Sequence, residues 1–322
     1  MTPAKWIGRE NTSILHIGES EARHPNPENN VEAPILIVQQ WGVGISLLQM
    51  ERDEARLFYT FMGTGPDVVL VHPTPVHHAF WLPVAERLAD RYRLLLLDLR
   101  GHGQSELGTG PMTIAKLARD VHAILETEGI RSAAFVGCSI GGYLLYEYWR
   151  RYPNEMAAMA LVCGKPQPDA DANRERRHQW MRDARKPGGL EKFFDLTADT
   201  LVGPTCVLRH PERRAAARAM MNAMSLEAML AVQQGLMLRP DSVPTLATIC
   251  VPTCVIAGGE DKSGTPEEMR VLANTVPGAE FHLLEDAGHY APLEQPENVA
   301  GILGSFLDRN YGNASDNPTM TG

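Results

Sequence analysis

No stretch of this chain approaches the roughly 18 consecutive apolar residues of a membrane-spanning helix, and no membrane association is expected. The first 30 residues also hold no continuous apolar core of the kind a secretory signal uses, so a cytoplasmic location is the expectation. Cysteine is scarce. Cys138, Cys163, Cys206, Cys250 and Cys254 make an odd set of five without a CxxC pair, which indicates neither a disulfide framework nor a zinc site. They read instead as small apolar residues. Blocks of Lys and Arg are missing, and a formal net charge of -9 argues against a surface built for nucleic acid phosphates. No metal or cofactor is called for, a small molecule is the expected partner, and self-association into a homo-oligomer is left open.

The 322 residues can bury a substantial core in one large domain with an insertion or in two modest ones. Residues 1–42 carry Asn, Pro and Glu around His24-Pro25-Asn26-Pro27 without a sustained period, and read as an irregular N-terminal extension. Met50 leaves a later translation start open. Leu47-Leu48-Gln49-Met50 and Leu57 to Phe61, either side of Arg52-Asp53-Glu54, predict an antiparallel hairpin. Then come short unbroken apolar runs, at Val68–Val71, Leu94–Leu97, Ala133–Val136, Ala160–Val162 and Cys254–Ala257, as expected of parallel strands covered on both faces. Helical stripes lie between them, such as Ile114, Leu117, Val121, Ile124 and Leu125, or Val299, Ile302, Leu303, Phe306 and Leu307. The alternation predicts an α/β architecture, a mostly parallel twisted sheet with helices on both faces. From 165 to 248 it stops, and four helices are expected, near 171–185, 190–201, 211–224 and 226–237. This divides the core into 43–164 and 249–310 around an inserted helical cap, followed by a flexible tail at 311–322.

Phe135-Val136-Gly137-Cys138-Ser139-Ile140-Gly141-Gly142 runs an apolar strand into Gly-x-Ser-x-Gly and on into a helical segment. A sharp strand-to-helix turn puts its central residue into a strained backbone conformation and needs small residues at Gly137 and Gly141, presenting Ser139 to substrate rather than burying it. A carboxylate and a histidine follow in the order a nucleophilic triad requires. Asp261 leaves a strand in Val255-Ile256-Ala257-Gly258-Gly259-Glu260-Asp261, and His289 ends Glu285-Asp286-Ala287-Gly288-His289 after Glu280 to Leu284. Both fall at the carboxyl edge of the sheet. His289 would take the Ser139 proton during attack and return it to the leaving group, with Asp261, rather than Glu260, orienting the imidazole. The oxyanion would accept from the Ile140 amide and from the first strand-to-helix loop, His72-Pro73-Thr74-Pro75-Val76-His77-His78, where Thr74 is the best-placed donor between two prolines.

Together these segments resemble the α/β-hydrolase superfamily from about Leu47 to Asp308, and Asp98-Leu99-Arg100-Gly101-His102-Gly103-Gln104-Ser105 looks like the family signature after the next strand. Asp286-Ala287-Gly288-His289, Glu294-Gln295-Pro296 and the four-helix cap are most similar to the branch of 3-oxoadipate enol-lactonases, small esterases and cofactor-free haloperoxidases. Where that family has His-Gly at its oxyanion loop this chain has His72-Pro73, and Cys138 precedes the serine. The resemblance implies an α/β-hydrolase fold and a serine hydrolase that cleaves a carboxylic ester or lactone through an acyl-enzyme on Ser139. C–C bond hydrolysis and perhydrolysis use the same triad, and a slow ligand receptor on the same fold is an alternative of another class.

Several residues read more simply as structural. His72, His77 and His78 lack a completing metal-ligand set, with His77 or His78 expected at the pocket entrance. Cys138 reads as packed, Asp286 as a turn carboxylate and His102 as a brace for its loop. Arg174, Arg177 and Arg182 on the expected cap could bind a substrate carboxylate, but they read first as a solvated helix face, with no single one assigned to substrate. Trp180, Phe193 and Phe194 hold helices together or shape the pocket.

Overall fold

Unbroken apolar runs can be buried on both faces only inside a sheet that helices cover from either side. In the computed structural model of the chain, which describes residues 36–38, 45–52 and 54–312, the apolar runs become adjacent strands. The described residues fall in the unit Ala33–Gly322; the other unit, Met1–Glu32, lies outside them. The strands are β1 (Leu36–Val38), β2 (Ile45–Arg52), β3 (Ala55–Met62), β4 (Asp67–Val71), β5 (Arg93–Leu97), β6 (Ala133–Cys138), β7 (Met156–Val162), β8 (Thr253–Gly258) and β9 (Glu280–Leu284). They form one sheet in the order β1-β2-β3-β5-β4-β6-β7-β8-β9. The pairs β1–β2, β2–β3 and β3–β5 are antiparallel, and all later neighbours are parallel. Every residue of β6 and of β8 is buried, whereas β9 at the sheet edge is half-buried over most of its length.

Helices α1 (Leu82–Ala85), α2 (Ile114–Thr127) and α3 (Ile140–Arg151) lie within the first half of the core. The stretch between β7 and β8 is helical throughout: α4 (Asp171–Ala184), α5 (Gly189–Leu201), α6 (Pro204–Arg209), α7 (Pro211–Met221), α8 (Leu226–Met237) and α9 (Val243–Leu246). The chain closes with α10 (Pro266–Thr275), α11 (Ala291–Glu294) and α12 (Pro296–Asn310). α2 packs on α3, while α1, α11 and α12 form a second group. Residue choice at the helix starts is legible. Thr113 and Ser225 cap α2 and α8, and Thr265 with Glu268 builds a capping box at α10.

Three expectations need correction. Leu36–Val38, placed in the irregular extension, pairs antiparallel with β2 in the register Leu36 to Leu47. The rest of that extension lies outside the described residues, as does 313–322 of the expected tail. Tyr311 and Gly312 are tied back to the last helix, their amides donating to the Leu307 carbonyl at 2.7 and 2.9 Å. Between 165 and 248 there are six helices where four were expected, because Pro204 and Pro244 open two short ones. A proline in the first turn gives up an amide that has no partner there in any case. Among the described residues no helix is long and apolar enough to cross a membrane.

One buried ion pair anchors the loop after β5. Arg100 is 1 % exposed and grips Asp120 of α2 through Nε at 2.9 Å and Nη2 at 2.8 Å. Removing one partner strands a charge out of water, which typically costs about 3–5 kcal/mol, whereas replacing both by apolar groups is far milder. Chemical denaturation should therefore find Asp120→Ala destabilised by about that amount, and Arg100→Met combined with Asp120→Leu closer to wild type.

Candidate active site

β6 ends at Cys138 and α3 begins at Ile140, so a single residue, Ser139, makes the whole turn. Its φ of 54° and ψ of -113° lie where an L side chain is strained, at a cost of order 1–3 kcal/mol that the surroundings must offset. Hydrogen bonds hold it there: the Ser139 amide donates to the Val162 carbonyl and its own carbonyl accepts from the Tyr143 amide, both at 3.2 Å. The flanking glycines are required by contact. A Cβ on Gly137 would lie 2.6 Å from the Gly141 carbonyl carbon, and one on Gly141 would lie 2.6 Å from the Val71 oxygen. Ser139 itself is only 8 % exposed, so the expectation of an open serine is corrected; it lies in the wall of a cavity.

The turn after β8 and the turn after β9 bring the next two residues together. His289 Nδ1 lies 2.7 Å from Asp261 Oδ2, and both side chains are buried. Asp261 Oδ1 accepts from the amides of Ser263 at 2.7 Å and Gly264 at 3.1 Å, which fixes the carboxylate and favours the imidazole tautomer with its proton on Nδ1. Glu260 is turned away. Its carboxylate accepts from the amide and hydroxyl of Thr205 in α6, which leaves Asp261 as the acid beside His289.

Thr74 lines the same cavity as Ser139 and His289. Its hydroxyl is 2.9 Å from His102 Nε2 and its carbonyl accepts from the Tyr290 hydroxyl at 3.0 Å. Among the described residues the amides of Thr74 and Ile140 have no protein acceptor. His102 Nδ1 lies 3.1 Å from the Arg100 carbonyl, so its Nδ1 carries the proton and Nε2 accepts from Thr74. His72 is arranged alike, with Nδ1 on the Pro73 carbonyl and Nε2 accepting from the Leu99 amide at 2.9 Å. Burial lowers His72 to about 3 and His102 to about 4, which keeps both imidazoles neutral.

A second carboxylate in the site had no assigned role in the sequence. Glu294, 2 % exposed, accepts from the amides of Gly203 at 2.9 Å, Gly288 at 2.8 Å and Tyr290 at 3.0 Å. It therefore joins the end of α5 to the loop that carries His289. Burial raises its carboxyl above the usual range, against the pull of those amides. A Glu five residues after a histidine has no pattern that betrays this contact; only the folding of both loops onto one carboxylate does.

The cavity holds about 500 Å³, in the range of small-molecule sites. Thr74, Ser139 and His289 form its sheet side, and Trp180, Phe193 and Leu236 come from the helical stretch. Trp180 and Phe193 also meet edge to face at 5.8 Å, so they both shape the cavity and bind α4 to α5. Phe194 is not part of the lining. Of the three arginines Arg177 lines the cavity, whereas Arg174 and Arg182 pair with Asp171 and Glu175 on the exposed face. Asp286 pairs with Arg209 at the surface. Cys138 is packed, its sulfur 3.7 Å from the His289 carbonyl, and burial raises its thiol well above the ordinary value.

His77 and His78 do not reach the cavity, contrary to expectation. His78 binds Asp98 through Nδ1 at 2.8 Å, and His77 accepts from the Ala79 amide at the start of a 3-10 turn. Among the described residues His77, His78 and Asp98, and separately Cys254, Glu280 and His282, bring potential ligand atoms within 4.8 Å of one another. In the first group the Asp98 oxygens are already taken up by His78 and the Gln104 amide, and in the second burial raises the Cys254 thiol, which opposes the thiolate a metal would need.

A family model described as the alpha/beta hydrolase fold matches residues 66–296. A pimeloyl-(acyl-carrier protein) methyl ester esterase of Xanthomonas campestris pv. campestris (strain B100) is 29 % identical over 255 residues, covering 76 % of this chain and 96 % of that protein. Among solved structures, a thermophilic esterase from Thermogutta terrifontis, malate bound, superposes with a TM-score of 0.76 at 28 % identity, over 87 % of this chain and 99 % of that one. The enol-lactonase from Burkholderia xenovorans LB400 gives 0.75 at 26 % identity, over 81 % and 99 %.

Two outcomes follow from this geometry. Gly141→Ala must push α3 off Val71, and urea unfolding should record a loss of about 1–3 kcal/mol. Because the unfolded chain protonates His72 and His102 near 6.5 while the folded protein resists until about 3 and 4, stability should fall as pH drops through that window. In His102→Gln the slope should lessen by up to about 1.4 kcal/mol per pH unit.

Proposed function

The chain belongs to the α/β-hydrolase fold family and is a hydrolase acting on ester bonds, and on that premise we propose that it cleaves a small-molecule carboxylic ester or lactone through an acyl-enzyme on Ser139. The observation that carries the reading is that a strained serine turn and His289, itself held by Asp261, line one cavity of small-molecule size. The helical stretch between β7 and β8 serves as its cap. The ester chemistry named for the Xanthomonas relative and the lactone chemistry of the Burkholderia neighbour support the same class of bond.

In this mechanism the Ser139 oxygen attacks the carbonyl carbon while His289 Nε2 takes the hydroxyl proton. Asp261 holds the imidazole by its Nδ1 proton and stabilises the imidazolium, itself staying ionised. The carbonyl oxygen, now an oxyanion, accepts from the amides of Thr74 and Ile140, which have no competing protein acceptor. Collapse breaks the bond to the leaving oxygen, which receives the proton from His289 Nε2. Water then attacks the acyl carbon, giving one proton to His289, and Ser139 departs with that proton as the acid is released. His102 and Tyr290 position the Thr74 loop by holding its hydroxyl and carbonyl, so that its amide is the group left to donate.

A fluorophosphonate should add once per wild-type chain and not at all to Ser139→Ala, as read by intact mass. Asp261→Asn should lower kcat by about 10⁴-fold, because the altered amide favours the wrong imidazole tautomer. His289→Ala should abolish turnover nearly as completely as Ser139→Ala. Ester turnover preserved in Ser139→Ala would sink this mechanism.

A further inference from the structure

The cavity is charged in a way that ester hydrolysis alone does not require. Lys165, Arg176, Arg177, Arg239 and Lys262 line it against a single carboxylate, Asp169, in a chain whose formal net charge is -9. The overall charge repels anions, so this concentration of positive charge is local to the cavity and focuses its field there.

Asp169 cannot neutralise its neighbours. It bridges two guanidiniums, accepting from Arg177 Nε at 2.6 Å and pairing with Arg239 Nη1 at 2.9 Å. Arg239 is fixed and nearly enclosed. Its Nε donates to the Gln167 carbonyl at 3.2 Å, its Nη1 also donates to the Leu236 carbonyl at 3.0 Å, and its guanidinium carbon lies 4.6 Å from the Tyr143 ring centroid. Its Nη2 is buried without a hydrogen-bond partner. A buried cation with an unmatched donor is costly unless further negative charge comes close.

Arg177 is the more exposed partner, its side chain 16 % accessible against 2 % for Arg239. Its Nη1 donates to Gln233 Oε1 at 2.6 Å, and Nη2 has no protein acceptor among the described residues. Lys165, on the loop after β7, and Lys262, next to Asp261, likewise have ammonium groups without a protein acceptor among the described residues. The cavity thus combines two free ammonium groups, an open guanidinium edge and a buried excess charge within its wall.

Resting on the reading of Ser139 as an ester-cleaving nucleophile, we infer that the substrate carries a second, anionic carboxylate, which Arg177 and Lys165 bind and the buried Asp169–Arg239 pair supports by holding Arg177. A carboxylate fits because Asp169 already shows how one bridges these planar donors. Arg239 is a positioning residue: it fixes Asp169, which in turn aims Arg177. The free carboxylate takes no part in bond breaking and leaves unchanged with whichever fragment bears it.

The test uses pairs that differ only in charge: monomethyl adipate against dimethyl adipate, and monomethyl glutarate against dimethyl glutarate. The half-esters should be favoured by about 10- to 100-fold in kcat/KM, mostly through KM, as expected for a charge-assisted contact. Arg177→Gln should bring that ratio to within about threefold of unity, and Lys165→Gln should lower it in part. Lys165 has no ion pair among the described residues, so its variant keeps the test intact if Arg177→Gln melts early. In parallel, calorimetry should find adipate binding to Ser139→Ala, weakened in the Ser139→Ala, Arg177→Gln double variant. Diesters cleaved as well as half-esters would overturn the anion subsite and leave the hydrolase reading standing. Adipate binding that depends on Arg177, with no ester of either kind cleaved by wild type, would uphold the subsite and overturn the hydrolase reading.

Discussion

The structure depends on how closely α3 approaches the sheet. With Gly141 against the Val71 carbonyl and Gly137 against the start of the same helix, there is no room for a methyl group at either position. That contact forces the turn from strand to helix into one residue, and the residue so compressed is Ser139. The strain is tolerable because the surrounding core is rigid: β6 is buried along its entire length between β4 and β7. Local strain and global packing are the two sides of one arrangement, since a looser sheet would let the turn relax.

Around this turn the remaining groups are held by buried polar contacts. Asp261 holds His289, Glu294 gathers the amides of Gly203, Gly288 and Tyr290, and Glu260 takes both donors of Thr205. Two of these carboxylates join the helical stretch to loops at the carboxyl edge of the sheet. The enclosure of Ser139 and the placement of His289 are therefore mechanically linked, because the His289 amide also donates to the Leu201 carbonyl at the end of α5. Such networks hold a single geometry only while every member is satisfied. The cationic wall of the cavity is built differently, with one carboxylate serving two guanidiniums, and this is the place where the protein leaves charge for a ligand to complete.

The sequence made the strands legible because burial on both faces demands runs such as Val68–Val71 and Leu94–Leu97, and it made α2 and α12 legible through their apolar stripes. It was less informative where apolar patterning is weak. The short helices α6 and α9 carry in their first turns prolines that look like breaks, and β1 is three residues beside a tract of Asn and Pro. Histidines misled for a related reason: His77 and His78 lie three and four residues after Thr74, yet the turn after β4 directs them to Asp98 and a helix start.

By itself, the sequence determined the α/β architecture and which serine, aspartate and histidine stand at the carboxyl edge of the sheet. Those features follow from local patterns: strand periodicity, glycine spacing and the loop that succeeds each strand. Only the tertiary structure decided that Ser139 is buried, that Glu294 binds two loops, that Arg177 faces the cavity while Arg174 and Arg182 do not, and that Arg239 is buried within the same wall. Those outcomes turn on which side of a helix meets the sheet and which distant loops share one carboxylate. Such contacts join residues far apart in the chain, and no local spacing encodes them.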